Sequence, residues 1–307
     1  MVSEQPLLSI IITAHNSALT LPATLQSLSA ALDNDFSGCE LLLINDASSD
    51  ASATLLADFA RDKPQATVCE LALRNIGRVR QFAISRSRGD YVTMLDGDDL
   101  LKAGSLTEVC RFLRQQTPDM LITKLHEVRE RDTSDTRWQG LQPQTLTRHE
   151  AIIRFLIHKD FQAHLIGQFI RRDILQQVPM PAFSCYEDFF VFPEILINAK
   201  KISFSASSHY LYLKHEGSLS NSPSAEKITN MIVCTERMST LFGDAYGPLI
   251  ACHWLDIALK QARWVTDPAQ RRQVDQQARR ALSLRFFLHP LVRFSYKKKA
   301  LKLLWKR

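Results

Sequence analysis

The first half of the chain alternates short, continuously apolar runs with segments whose apolar residues recur at helical spacing. Residues 7–14 (LLSIIITA), 40–44 (ELLLI), 67–71 and 91–95 (YVTML) read as strands, the third the weakest. Residues 21–32, 50–61, 77–86 and 105–115 read as the intervening helices, with Thr20 a candidate cap for the first and Pro22 in its first turn. Strands apolar at nearly every position, separated by helices, predict an α/β fold with a Rossmann-like, mainly parallel central sheet covered on both faces. After Asp119 the pattern is mixed. Extended segments are expected at 121–128 and 136–141, and Thr147 with Glu150 three residues on has capping-box spacing ahead of an apolar helical run at 151–157. Glu187 and Asp188 precede a helical run to Asn198, in which Pro193 predicts a late start or a kink. Residues 201–204 and 209–214 read as strands, and from about Ser224 onward the chain reads as a helical C-terminal extension.

Sheets of this kind bind nucleotides beyond the carboxyl ends of their strands, and that is where the polar residues fall. His15 and Asn16 follow the first strand; Asn45, Asp46, Ser48, Ser49 and Asp50 follow the second; Asp96, Asp98 and Asp99 follow the fourth. One such cluster is ordinary turn and cap chemistry. Three at neighbouring strand ends predict a shared crevice.

Composition narrows the classes. With 307 residues, 45% hydrophobic and 23% charged, the chain is neither disordered, nor collagen-like, nor a small disulfide scaffold. Six widely spaced cysteines without a C-x-x-C pair argue against zinc ribbons and redox motifs and for buried thiols in a reducing, cytosolic compartment. No basic segment precedes an apolar stretch at the N-terminus, and no run approaches the ~20 residues that span a bilayer. The net charge of +6 hides a split: residues 271–307 hold 12 Lys/Arg and one acid, while the rest holds 26 basic and 31 acidic groups.

Asp96-Gly97-Asp98-Asp99 places three carboxylates at a strand exit, where their repulsion favours a shared cation. Mg²⁺ and Mn²⁺ take oxygen ligands, commonly one or two carboxylates with substrate phosphates, so this turn is a candidate metal–diphosphate site.

Six motifs, taken in order, carry a resemblance: IIITAHN, LLLINDASSD, Asn75-x-Gly77…Arg80-Gln81…Gly89-Asp90-Tyr91, MLDGDD, Glu187-Asp188, and Tyr212-x-x-His215-x-x-Ser218-x-Ser220. Together the chain resembles family 2 glycosyltransferases of the GT-A fold, strongly over residues 7–103 and moderately to about 220. The resemblance implies Mn²⁺- or Mg²⁺-dependent, inverting transfer of a sugar from a nucleotide-diphosphate donor, most often a UDP-sugar, to a hydroxyl of a glycan or lipid-linked saccharide in cell-surface polysaccharide synthesis. It implies that Thr13, Ala14, His15 and Asn16 line the nucleotide pocket, Asp46 binds the base, and Asn75 and Arg80 flank the donor. Asp96 is then a ribose or metal contact, Asp98 the main metal ligand, His215 a further ligand, and Asp188, with Glu187 beside it, the general base. On this division residues 1–120 form the nucleotide-sugar half, 121–222 the acceptor and catalytic half, and 223–307 the helical region. The chain departs from the family pattern at Ala47, where glycine is usual, and at His15, where tyrosine is common. The segment from Asn75 to Gly89 is about two residues short, which leaves Arg78 as an alternative to Arg80.

Inverting transfer is one displacement, so an ionised carboxylate must take the acceptor proton opposite the leaving diphosphate. A helix start suits Asp188, because the helix dipole favours negative charge there; Glu187 is the alternative. A non-catalytic sugar-nucleotide-binding scaffold at the membrane, or a sugar nucleotidyltransferase, are the competing classes. The latter needs a glycine-rich basic loop where this chain reads TAHNSALTLP. In the tail, Tyr296, Ala300, Leu301, Leu303, Leu304 and Trp305 fall on one helical arc, with Lys298, Lys299, Lys302 and Lys306 on the other. That pattern predicts either a helix lying in an anionic membrane interface on the cytoplasmic face or a solvated helix packed on the body. Nucleic acid is not an expected partner, since no recognition motif accompanies the charge.

Overall fold

The structure, a computed structural model, describes residues 5–128, 137–214 and 224–305. Strands β1 (Leu8–Ala14), β2 (Cys39–Asp46), β3 (Ala66–Leu71) and β4 (Tyr91–Asp96) alternate with helices α1 (Leu21–Ala31), α2 (Ser52–Ala60) and α3 (Ile76–Arg86), and α4 (Ser105–Gln116) follows the two-residue strand β5 (Leu100–Leu101). The sheet continues through β6 (Met120–Val128), β7 (Pro143–Leu146), β8 (Phe169–Arg171) and β9 (Ile202–Leu213). Its order is β3-β2-β1-β4-β8-β6-β9-β5, with β7 also on β9. The strand order 3-2-1-4 is parallel throughout. Beyond β4 the sheet is mixed, because β8 runs antiparallel to both β4 and β6.

Burial explains the parallel half. Every residue of β2 is buried, and Leu8, Ile10, Ile11 and Ile12 of β1 are fully so. Each such aliphatic side chain contributes about 1.5–3 kcal/mol, and an all-apolar strand has no face it can leave in water. The register sets Thr13 beside Asp96 and Ala14 beside Asn45, so the polar strand ends lie next to one another.

Several expectations change in the tertiary setting. Thr20 does not cap α1; its hydroxyl donates to the carbonyl of Gly97 (2.8 Å) and ties α1 to the aspartate turn. The strand expected at 136–141 lies instead at Pro143–Leu146, since Trp138 and the Leu141 N–H are taken by the Glu108 carboxylate. Residues 201–204 and 209–214 are not two strands but parts of β9, whose register against β6 shifts across the polar run Ser205–Ser208. Helices α5 (Arg148–Leu156) and α6 (Arg172–Gln177) flank β8, and α5 opens with the full Thr147–Glu150 capping box. Helix α7 (Glu187–Asn198) starts at Glu187 and runs through Pro193. The burial of Val191, Phe192, Ile195 and Leu196 outweighs the one backbone hydrogen bond that proline removes.

The C-terminal region comprises α8 (Ala225–Phe242), α9 (Gly247–Lys260), α10 (Pro268–Arg279), α11 (Leu284–Leu288) and α12 (Phe294–Trp305). Helix α12 divides the expected apolar arc. Ala300 and Leu303 are buried with Tyr296 packed beside them, and the Tyr296 hydroxyl and Lys299 ammonium both donate to Asp256 of α9 (2.9 and 2.6 Å). Lys299 therefore faces the body rather than solvent. Phe294, Leu301 and Leu304 remain exposed (70, 47 and 58%), as do Leu284 and Leu288 of α11 (74 and 71%). None of the described helices is long and apolar enough to cross a membrane. All six cysteines are free thiols, four of them buried.

Two motif glycines are explained by close approach. A Cβ on Gly77 would stand 2.0 Å from the Pro181 carbonyl oxygen, and one on Gly89 2.5 Å from the Ser9 nitrogen. The first contact docks the start of α3 on the segment leading to α7, where Asn75 also donates to Ala182 O (3.2 Å). Gly77→Ala should therefore destabilise the fold by about 1–3 kcal/mol, read as a lowered urea midpoint. An unchanged midpoint would show that the 181–183 segment yields without cost.

Candidate active site

The three polar clusters meet as the strand order requires. The first loop is stapled to the second: the Asn16 N–H donates to Ser48 Oγ (3.0 Å), and Asn16 Oδ1 accepts from the Ser49 N–H (2.8 Å). His15 Nδ1 lies 2.6 Å from the Asp46 carbonyl oxygen. A carbonyl only accepts, so Nδ1 carries the proton and Nε2 is left as an acceptor, 3.4 Å from Asn16 Nδ2. Asp46 is nearly buried and accepts from the Leu73 N–H (2.7 Å), which joins the exits of β2 and β3. Ala47 sits at φ 53°, the left-handed region that glycine occupies more cheaply, which accounts for glycine being usual there. Asp50 accepts from the Ala18 N–H (2.9 Å) and from Ser52 Oγ (2.6 Å), so it and the two serines hold loops together. Ala14 is buried and positions this corner without offering a polar side chain.

The aspartate turn splits by direction. Asp96 accepts from Thr13 Oγ1 (3.0 Å) and from Arg80 (3.2 Å), and Asp98 is half-buried beside it. Asp99 turns inward. It is fully buried, accepts from the Tyr210 hydroxyl (2.6 Å) and the Leu213 N–H (2.8 Å), and thereby fixes β9. Burial and the charges of Asp96 and Asp98 push its carboxyl up to about 8. The D-x-D pair is thus Asp96 and Asp98, with Asp99 structural. Their donors are oxygens alone, and ionised carboxylates keep lone pairs beyond the bonds they already accept. That chemistry fits a hard divalent ion completed by a diphosphate. His215 lies outside the described residues, and among those described no three His, Cys, Asp or Glu side chains are gathered to hold a metal.

Arg80 is the centre of the arrangement. It is 5% exposed, and its guanidinium pairs at once with Asp96 and with Glu187, the first residue of α7. Burial alone would favour discharge, but Glu187, Asp96 and Asp188 outweigh it and move the pKa up. Burial pushes Glu187 the other way from its partner's pull, to about 7. Arg78 is exposed, its N–H held by the Asn75 side chain at the start of α3 (3.0 Å). Asp188, the next residue of α7, is more open than Glu187: its side chain is 22% exposed against 6%. One oxygen accepts from the Phe189 N–H (2.6 Å), and the other lies 3.6 Å from His164 Nδ1. Tyr186 precedes the pair at φ 71°, a strained setting for an aromatic residue that sets the direction in which α7 begins. Sequence reasoning did not single out Tyr210 or His164; Tyr210 carries only strand alternation as a signal, and His164 carries none.

Two surface cavities, of about 590 and 570 Å³, lie elsewhere, one beside Phe36, Lys63 and Gln65 and one beside Leu7, Asp90 and Arg172. Both are at the amino ends of the parallel strands, opposite the end where such sheets bind nucleotides.

Paired carboxylates at a strand exit of an α/β sheet thus stand close to a second acidic pair at a helix start, joined through Arg80. Residues 9–178, just over half of the chain, match the description of glycosyl transferase family 2, and the chain belongs to that family. A curated relative, the poly(ribitol-phosphate) beta-glucosyltransferase of Bacillus spizizenii, is 24% identical over 217 residues, 68% of this chain and 33% of that protein. The match thus spans about a third of such a relative's length. Residues 1–349 of Staphylococcus aureus TarS superpose with a TM-score of 0.67 at 19% identity, covering 97% of this chain and 88% of that one. The mannosyltransferase PcManGT of Pyrobaculum calidifontis superposes with a TM-score of 0.53 at 14% identity, covering 99% and 89%. At these identities the two structures establish the shared GT-A fold.

The bridge has a measurable consequence. Arg80→Met leaves Glu187 and Asp96 without their shared cation and should cost about 3–5 kcal/mol of stability. The double variant Arg80→Met/Glu187→Met should be less destabilised than the two single effects combined. Additive losses in urea unfolding would show that the two side chains do not act as a pair.

Proposed function

We propose that this chain transfers a sugar from a nucleotide-diphosphate donor, of UDP type, to a hydroxyl of a glycan or lipid-linked acceptor, with inversion at the anomeric carbon. The observation that carries the reading is the Asp96–Arg80–Glu187 bridge, because it brings the start of α7, and with it Asp188, to the aspartate turn of β4. Family membership supports the reaction class. TarS has been solved with UDP and with UDP-GlcNAc, which supports a UDP-sugar as donor. PcManGT has been solved with GDP-Man and Mn²⁺, which supports a divalent ion. The names of the poly(ribitol-phosphate) transferases support a cell-surface polymer as the destination of the sugar.

In this reading Thr13, Ala14, His15 and Asn16 with Asp46 form the nucleotide wall, and Asn75 flanks the donor. Asp98 and Asp96 hold Mn²⁺ or Mg²⁺, with His215 as a further ligand. When bound, such an ion neutralises charge on the departing diphosphate as a Lewis acid. Arg80 holds Asp96 and Glu187 in place rather than reaching the phosphates. Glu187 is occupied by Arg80, and Asp188 is the base: the acceptor oxygen bonds to the anomeric carbon, the bond to the diphosphate breaks with its electron pair, and the hydroxyl proton passes to the Asp188 carboxylate. Asp188→Asn should lower kcat by about 10²–10⁴-fold while the thermal shift produced by UDP-sugars with Mn²⁺ persists. A variant that turns over normally would remove Asp188 from this role, and no shift with any nucleotide-sugar in the parent protein would remove the reading itself.

The same reading places the protein peripherally on an anionic, cytoplasmic membrane face, through the outer side of α11 and α12. There Leu284, Leu288, Phe294, Leu301 and Leu304 are exposed beside Arg285, Lys298 and Lys302. Apolar side chains rimmed by cations suit an interface where each basic group adds about 1 kcal/mol. Truncation is a poor test, because Phe286, Val292, Ala300 and Leu303 are core residues. Phe294→Glu/Leu301→Glu, both outward, should abolish co-sedimentation with phosphatidylglycerol-containing vesicles and leave the donor shift intact. A parent protein that ignores those vesicles would refute attachment by this face.

A further inference from the structure

We propose that His164 is a positioning residue for the reaction: it borders the open oxygen of the Asp188 carboxylate and holds it toward the acceptor. The inference rests on Asp188 being the base, and it concerns a residue outside every motif in the sequence. His164 belongs to the loop between α5 and β8, and its Nδ1 stands 3.6 Å from Asp188 Oδ2. That separation is slightly longer than a hydrogen bond, as orienting contacts in unliganded sites often are. The other Asp188 oxygen is already fixed by the Phe189 N–H at 2.6 Å. Oδ2 is therefore the oxygen left to meet an acceptor hydroxyl, and His164 is the group that borders it. Both side chains are partly open (36 and 22% exposed), as a pair lining a substrate cleft must be. The imidazole is itself oriented, with its ring centroid 6.4 Å from that of Tyr212 on β9 and tilted by 32°.

The other groups near Asp188 are accounted for. Arg80 and Glu187 are paired to each other. Burial pushes the Cys185 thiol and the Tyr186 phenol up, to about 11 and 12, and the Cys234 thiol higher, so all three stay neutral. His164 is the side chain that meets the open oxygen.

The test is the split between kcat and donor KM for the full chain, with UDP-sugar turnover as the readout. His164→Ala should lower kcat by about tenfold to a hundredfold, the cost of a misplaced reacting group, and leave the donor KM unchanged. His164→Asn, whose amide N–H reaches the position of Nδ1, should recover part of the loss. An unchanged kcat in His164→Ala, no recovery in His164→Asn, or a loss confined to donor KM would overturn the proposal. Full activity in Asp188→Asn would instead overturn the assignment of the base, so the two failures are distinguishable.

Discussion

Burying a guanidinium is costly unless carboxylates surround it, and the candidate site is organised around that constraint. Arg80 lies on α3, one of its partners ends β4 and the other begins α7, so one desolvated cation ties two consecutive elements to a third about a hundred residues away. Removing the cation would leave two carboxylates facing each other at low dielectric, a state worse than either partner alone. The arrangement therefore tolerates little independent change. Its consequence is selective: Glu187 is paired with Arg80 and buried, while the adjacent Asp188 stays more open.

The same economy recurs around the aspartate turn. Of three consecutive carboxylate positions, Asp96 is held by Thr13 and Arg80, Asp99 is directed into the core against Tyr210, and Asp98 stands between them at the surface of the crevice. Repulsion among them is relieved by giving each a different environment. The polar residues after β1 and β2 behave likewise. Many of them staple loops to one another, and that stapling shapes the corner where β1 and β2 end.

How much of this was legible in the chain depends on the range of the interaction. β1, β2, β4 and their helices were readable to within about two residues, because their periodicity is local and the strand centres are mostly apolar. The capping box before α5 was readable for the same reason. The short strands β5 and β8 were not, since two or three residues carry no period. Of the two outcomes expected of Pro193, a late start did not occur: α7 begins at Glu187 and carries the proline inside it. In the tail, the helical arc was visible, but its partition was not: Asp256, forty residues away, selects Tyr296 and Lys299 for the inner face.

By itself the sequence determined the class of fold and the family, because strand polarity, turn composition and motif order are properties of neighbouring positions. Tertiary structure alone decided where each carboxylate is placed. Glu187 and Asp188 are chemically close and adjacent in sequence, as are Asp98 and Asp99. They part only when one of each pair is turned toward a buried partner contributed by a distant segment, Arg80 in the first case and Tyr210 in the second. Local pattern carries no information about such partners, because the energy that orients these side chains is desolvation and pairing across the fold.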